Sequence, residues 1–132
     1  MKSYPVRIAV LLEPIDTPMV KVVCYNQDRT LRLLNQPSWV NFEFEKEQGP
    51  ARLSVELFDK HPHDPTTAVI VKQIQLNDIE HLQNTYQGMY YPTDMEPRRD
   101  TYLAWNGTWI LDFTVPVYTW MHKTQALGWI YD

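Results

Sequence analysis

Apolar and polar residues alternate with a period of two through much of the first half of the chain. In WVNFEFE, Val40, Phe42 and Phe44 share one face, and Asn41, Glu43 and Glu45 share the other. In ARLSVELF, Leu53, Val55 and Leu57 oppose Arg52, Ser54 and Glu56. This period belongs to a strand with one buried and one wet face, as in antiparallel sheets. Glu47-Gln48-Gly49-Pro50 separates the two segments with turn-forming residues, which predicts a hairpin. Two more apolar runs, VRIAVLL at 6–12 and MVKVVCY at 19–25, flank EPIDTP, whose two prolines forbid continuing a central strand. In AVIVKQIQL at 68–76, Val69 and Val71 are in phase, whereas Ile74 and Leu76 are one residue out. That slip predicts a β-bulge.

Asn106-Gly107 lies between two β-prone runs and matches the preferred two-residue hairpin turn, because both residues tolerate φ > 0. Pairing outward from it places Tyr102, Ala104, Trp109, Leu111 and Phe113 on a core face. Leu103, Trp105, Thr108, Ile110 and Asp112 then fall on a mixed one. Beyond Pro116, Val117, Trp120 and Met121 recur at helical spacing, with proline at a favoured first position. The expected architecture is therefore all-β: an antiparallel β-sandwich of jelly-roll type, built from seven or eight short strands. At most one short helix is expected, near residues 116–123. At 132 residues, with no repeat, linker or low-complexity tract, residues 1–132 read as a single domain.

Charge narrows the range of partners. The net charge is −4 and Arg98-Arg99 are flanked by Glu96 and Asp100, so neither a nucleic-acid backbone nor an anionic membrane surface is an expected partner. No run approaches the roughly 20 apolar residues of a membrane span. The opening MKSYPVRIAVLLEP is broken by Pro5 and Arg7 and lacks a small-residue cleavage site, so a soluble protein without a signal peptide is expected. The single cysteine, Cys24, sits in an apolar run and is expected to be a buried, inert thiol.

Catalytic motifs are absent from the sequence. There is no Gly-x-Ser-x-Gly elbow, and the four glycines form no phosphate-binding loop. Glu43 and Glu45 share a face as any solvated strand would have it, and the expectation is a protein that is not an enzyme. Asn106-Gly107-Thr108 has the form of a glycosylation acceptor, but turn formation accounts for it. Asp59-Lys60-His61-Pro62-His63-Asp64 brings two imidazoles and two carboxylates into six residues, a candidate site for zinc or, through its carboxylates, calcium. The same composition also describes a solvated turn.

Aromatic residues carry the strongest functional signal. Most of them lie beyond residue 85, and TYQGMYYPTDMEPRRDTYLAW at 85–105 holds five in a segment without periodicity. Flat, amphipathic rings beside Asn, Gln or Asp suit a carbohydrate surface as well as a protein interface. Trp39 and Trp105 are the best platforms, since alternation puts both opposite the expected core faces. Tyr86, Tyr90, Tyr91 and Asp94 complete the candidate ligand-binding set. Trp109, Phe113 and Trp120 read instead as core.

The middle of the chain, in PMVKVVCYNQDRTLRLL, SWVNFEFE and GPARLSVELFDKHPHDPTTAVIVKQIQLNDI, resembles the calcium-dependent xylan-binding carbohydrate modules. The resemblance covers about residues 19–80 and ends in Ile74-Gln75-Leu76-Asn77-Asp78-Ile79, similar to that family's Ile-x-Ile-x-Gly-Ile phrase. It implies a β-sandwich, with Asp59 and Asp64 at positions of calcium ligands. The sequence departs from the family within Ala68–Lys72, which holds no carboxylate, and at His61 and His63, which replace oxygen donors. The fold expectation survives that departure, but those of calcium and xylan do not. The C-terminal TYLAWNGTWILDFTVPVYTWMHKTQALGWIYD is similar to small proteins of tailed phages of marine cyanobacteria, which implies a place in the host cytoplasm or virion. The leading expectation is non-catalytic carbohydrate binding, metal-assisted or not. The second is a structural or assembly protein, a homo-oligomer joined through its aromatic surface.

Overall fold

The computed structural model describes residues 2–80 and 87–125 of the chain. Among these described residues, the strands and helix follow in the order β1 (Ser3–Ile15), β2 (Met19–Cys24), β3 (Gln27–Arg32), β4 (Ser38–Glu47), β5 (Gly49–Phe58), β6 (Ala68–Leu76), β7 (Ile79–Glu80), β8 (Met89–Pro92), β9 (Tyr102–Leu103), β10 (Gly107–Val115) and helix α1 (Val117–Gln125). They build the expected antiparallel sandwich. One sheet runs β4-β1-β6, with β7 and β9 both pairing with β6; the other runs β3-β2-β5-β10-β8. Val6, Ile8, Val10 and Leu12 of β1 alternate inward, as do Val20, Val22 and Cys24 of β2 and Leu53, Val55 and Leu57 of β5. These inward faces meet in one apolar core.

The expected bulge is present. β1 and β6 pair Leu11 with Gln73 but Leu12 with Val71, which leaves Lys72 as the extra residue. The slip returns Ile74 and Leu76 to the face already occupied by Val69 and Val71, and all four are buried. The helix is also where the proline placed it, with Val117, Trp120 and Met121 buried. Trp120 packs edge-on to Phe113, with ring centroids 6.2 Å apart.

Both hairpins expected from turn chemistry are absent. β4 pairs with β1, while β5 pairs with β2 and β10 in the facing sheet. The chain therefore crosses the sandwich at Gln48, helped by Gly49 at φ +145°. Alternation cannot distinguish the two routes, because a strand buries one face equally well in either sheet. At Asn106-Gly107 the outcome is similar: β10 starts at Gly107 and pairs with β5 and β8, whereas β9 joins β6 across the core. The faces inferred for Tyr102 and Leu103 invert in consequence, with Leu103 fully buried and Tyr102 exposed, whereas Trp109, Leu111 and Phe113 keep the core face expected of them. Gly107 serves close approach instead, since a Cβ there would lie 2.6 Å from both Pro92 Cα and the Tyr91 carbonyl oxygen. The tight turn with two positive φ values falls at Asn77-Asp78, between β6 and β7.

A third expectation fails at EPIDTP, because β1 runs through Pro14 to Ile15. Pro5 pairs only with β4 and Pro14 only with β6. Each proline thus sits where β1 has a single neighbour, and half of the backbone N–H groups there face no partner strand.

Candidate functional site

The residues singled out from sequence separate into two regions. The first is a cluster of loops at the end of the sandwich where β1 stops and β10 begins. The second is the outer face of the β4-β1-β6 sheet.

Lys60, which sequence reasoning passed over, organises the loop cluster. Its side chain is buried, and its Nζ donates to the carbonyl oxygens of Thr67 (2.7 Å) and Ala104 (2.5 Å). The same ammonium lies 4.9 Å from the centre of the Trp105 ring. Asn106 clamps the Lys60 backbone from both sides: its Oδ1 accepts the Lys60 N–H at 3.0 Å, and its Nδ2 donates to the Lys60 carbonyl at 3.0 Å. Asparagine at 106 thus joins two loops rather than forming a hairpin. Tyr90 pins Trp105 from the core side, its hydroxyl accepting the Trp105 N–H at 3.2 Å and donating to the Trp105 carbonyl.

This geometry corrects the expected ligand surface. Tyr90 is 2% exposed, so its ring is a core element and unavailable to a ligand. Burial pushes its hydroxyl pKa up. Tyr91 is exposed on the outer face of the opposite sheet, and Asp94 occupies an exposed turn at φ +62°. Tyr86 lies outside the described residues. Trp39, on β4, and Trp105, in the loop before β10, remain exposed at 42% and 44%.

Of the four candidate metal ligands, His61 and Asp64 accept hydrogen bonds within their own loop. His61 Nδ1 accepts the His63 backbone N–H at 3.1 Å, leaving the two rings tilted with centroids 5.4 Å apart. Asp64 Oδ1 accepts the backbone N–H groups of Thr66 (2.9 Å) and Thr67 (3.0 Å), and the Thr67 hydrogen bonds hold its carboxyl well below the usual carboxylate range. Asp59 takes a positive φ at the end of β5. Among the described residues, no three His, Cys, Asp or Glu side chains converge as a metal-ligand set. Asp64 ties its own loop, and Thr66 in turn donates to Asp16 at 2.5 Å across to the end of β1. The donor set present does not fit a zinc or calcium centre.

Trp39 belongs to the second region. It projects outward from the edge strand β4 together with Asn41 and Glu43, while Val40 and Phe42 point to the core. Register supplies its neighbours: Leu11 pairs with both Trp39 and Gln73, Ala9 with both Asn41 and Gln75, and Arg7 with Glu43. Ala9, small among larger side chains, floors a groove of about 540 Å³ lined also by Arg7, Asn41, Glu43, Gln75 and Asp78. Gln27 and Arg29 reach the groove from β3 of the other sheet. Three amides, two guanidiniums and two carboxylates thus surround an open floor, with Trp39 about 7 Å along the strand from Asn41. Arg7 and Asp78 pair at 2.5 Å but are both exposed, so their contact adds little stability and can yield to a ligand. Alternation in β4 identified the outward Trp39. The partners from β1, β6 and the Asn77-Asp78 turn could be found only through the strand order.

Cys24 is buried, as expected, and burial pushes its thiol pKa up to about 12. No helix among the described residues is long and apolar enough to cross a membrane.

No profile of a known protein family matches the sequence, and no curated protein matches it as a relative. Solved structures do match the fold. A vCBM60 structure in complex with galactobiose superposes with a TM-score of 0.57 at 13% identity, over 80% of this chain and 96% of that one. A selenomethionine form of vCBM60, from work on circular permutation linking two families of calcium-dependent carbohydrate-binding modules, superposes with a TM-score of 0.59 at 15% identity, over 80% and 89%. These likenesses lend no support to the resemblance of the C-terminal half to phage proteins. At such identities they establish that this chain has the β-sandwich fold on which those carbohydrate-binding modules are built.

Proposed function

We propose that this protein binds carbohydrate without catalysis, through the outer face of the β4-β1-β6 sheet. The observation that carries the reading is the groove lined by Ala9, Arg7, Asn41, Glu43, Gln75 and Asp78, on the same sheet face as the exposed Trp39, which lies two residues along β4 from Asn41. A pyranose has an apolar face that stacks on an aromatic ring and a rim of hydroxyls that both donate and accept. Amides answer both needs, while carboxylates and guanidinium answer one each. The sheet is rigid, so these groups are held in place before the ligand arrives, which limits the ordering cost of binding. The vCBM60 structures support the class of ligand, since a protein of this fold holds galactobiose.

Trp105 has a different role in this reading. One region of its ring is taken by the Lys60 ammonium, and it stabilises the loops rather than a sugar. The test is a glycan array followed by titration calorimetry on the best ligand. Trp39→Ala and Ala9→Leu, which removes the platform or fills the floor, should each weaken binding tenfold or more, about 1.4 kcal/mol. Trp39→Ala, at an exposed position, should change the unfolding free energy by no more than about 0.5 kcal/mol. Absence of affinity across the array would remove the proposal and leave an assembly protein, to be sought by the oligomeric state in solution.

A further inference from the structure

The fold neighbours are calcium-dependent modules, yet the loop cluster of this chain already contains cations of its own. A small cavity of about 170 Å³ opens among Thr17, Arg32, Asp59, Lys60, Asp64 and Thr67. Calcium needs six to eight oxygen donors, drawn from carboxylates and backbone carbonyls. Here the Thr67 carbonyl accepts from the Lys60 ammonium at 2.7 Å and the Ala104 carbonyl from the same group at 2.5 Å. The Thr17 carbonyl accepts from Arg32 Nη1 at 2.7 Å. The Asp64 Oδ1 lone pairs are committed to Thr66 and Thr67. An entering divalent cation would meet the Lys60 ammonium and the Arg32 guanidinium, and carbonyl oxygens of Thr17, Thr67 and Ala104 already engaged by them.

We propose that Lys60, with Arg32, does in this chain the loop cross-linking that a divalent cation would otherwise do, so that its stability and ligand binding are independent of calcium. The geometry is that of an internal cation: a buried ammonium tying the 59–67 loop to the 104–106 loop, capped by the Trp105 ring and held by the Asn106 clamp on its backbone. The stem of Lys60 is enclosed with the charge, so the site is part of the folded structure rather than a surface ion pair.

The experiment uses the whole chain, stripped with chelator and then titrated with calcium chloride while heat uptake and the thermal midpoint are followed. Ligand that binds only the folded state raises the midpoint by mass action. The expected result is no saturable heat and no change in midpoint. A saturable isotherm with a rise of ~2 °C or more would overturn the proposal. In parallel, Lys60→Met keeps the apolar stem and deletes the ammonium. Its midpoint should fall by several degrees in chelator and in calcium alike, and an unchanged midpoint would show that Lys60 ties nothing. If that variant does not fold, the wild-type titration still decides the question. Neither arm uses a glycan, so failure of the carbohydrate reading leaves this result intact and the reverse also holds.

Discussion

Trp39 and Trp105 are exposed to nearly the same extent, 42% and 44%, and their surroundings assign them opposite tasks. Trp39 stands on a sheet whose backbone is fixed by the pairing of β4 with β1, and the same face carries a groove lined by Ala9 and Asn41. Trp105 stands in a loop without regular pairing. Its backbone is held by Tyr90 and its ring covers the Lys60 ammonium. Exposure therefore does not identify a ligand platform. What matters is whether the polar groups around the ring are committed to the fold or left for a partner. In the loop cluster they are held by the buried Lys60 ammonium, whereas on the sheet face the Arg7–Asp78 pair is exposed and can yield to a ligand.

That contrast is broken if changes in the loop cluster alter binding, or if changes on the sheet face alter folding. Tyr90→Phe should have the largest effect, because it strands the buried N–H and carbonyl of Trp105. A loss of about 2 kcal/mol in urea denaturation is expected, with any glycan affinity unchanged. Trp105→Ala comes next. Removing the ring from the Lys60 ammonium should cost about 1 kcal/mol of stability and, unlike Trp39→Ala, leave the binding isotherm as it was. A weakened isotherm in the Trp105 variant would merge the two regions into one site.

The smallest effect concerns acid. Asp64 is held ionised chiefly by its hydrogen bonds with Thr67, so its pKa in the folded protein lies below the ordinary value of 3.8. A depressed carboxylate stabilises the fold above its unfolded pKa, and that contribution disappears as pH falls through the folded one. Wild type should therefore exceed Asp64→Asn in thermal midpoint at neutral pH. The gap should narrow only below about pH 4. A gap that closed already above pH 5 would show that the Asp64 carboxylate is not its source.

The fold was legible wherever the signal was local or periodic. Alternation at 40–44 and 53–57 identified the buried faces, the phase slip at 69–76 located the bulge, and Pro116 marked the helix start. The sites were less legible. Lys60 reads as an ordinary loop lysine until Thr67 and Ala104, the latter 44 residues away, bring their carbonyls to it. The groove draws on β1, β4, β6 and the Asn77-Asp78 turn, and no sequence window contains more than a fraction of it.

The two failed hairpins locate the boundary between the kinds of information. Side-chain periodicity reports how a strand divides its faces between core and water, which is a property of the strand alone, and turn residues report that the chain can reverse. Neither reports which strand lies alongside. Glu47-Gln48-Gly49 and Asn106-Gly107 reverse direction as their composition requires, but they deliver the chain to the facing sheet. Sequence by itself determined an antiparallel sandwich with Cys24 and Trp109 inside and Trp39 outside. Tertiary structure alone decided that Tyr90 is core, that Lys60 is a latch and that Ala9 floors a groove. Each of these depends on partners distant in the chain, brought together by burying two sheets against one another.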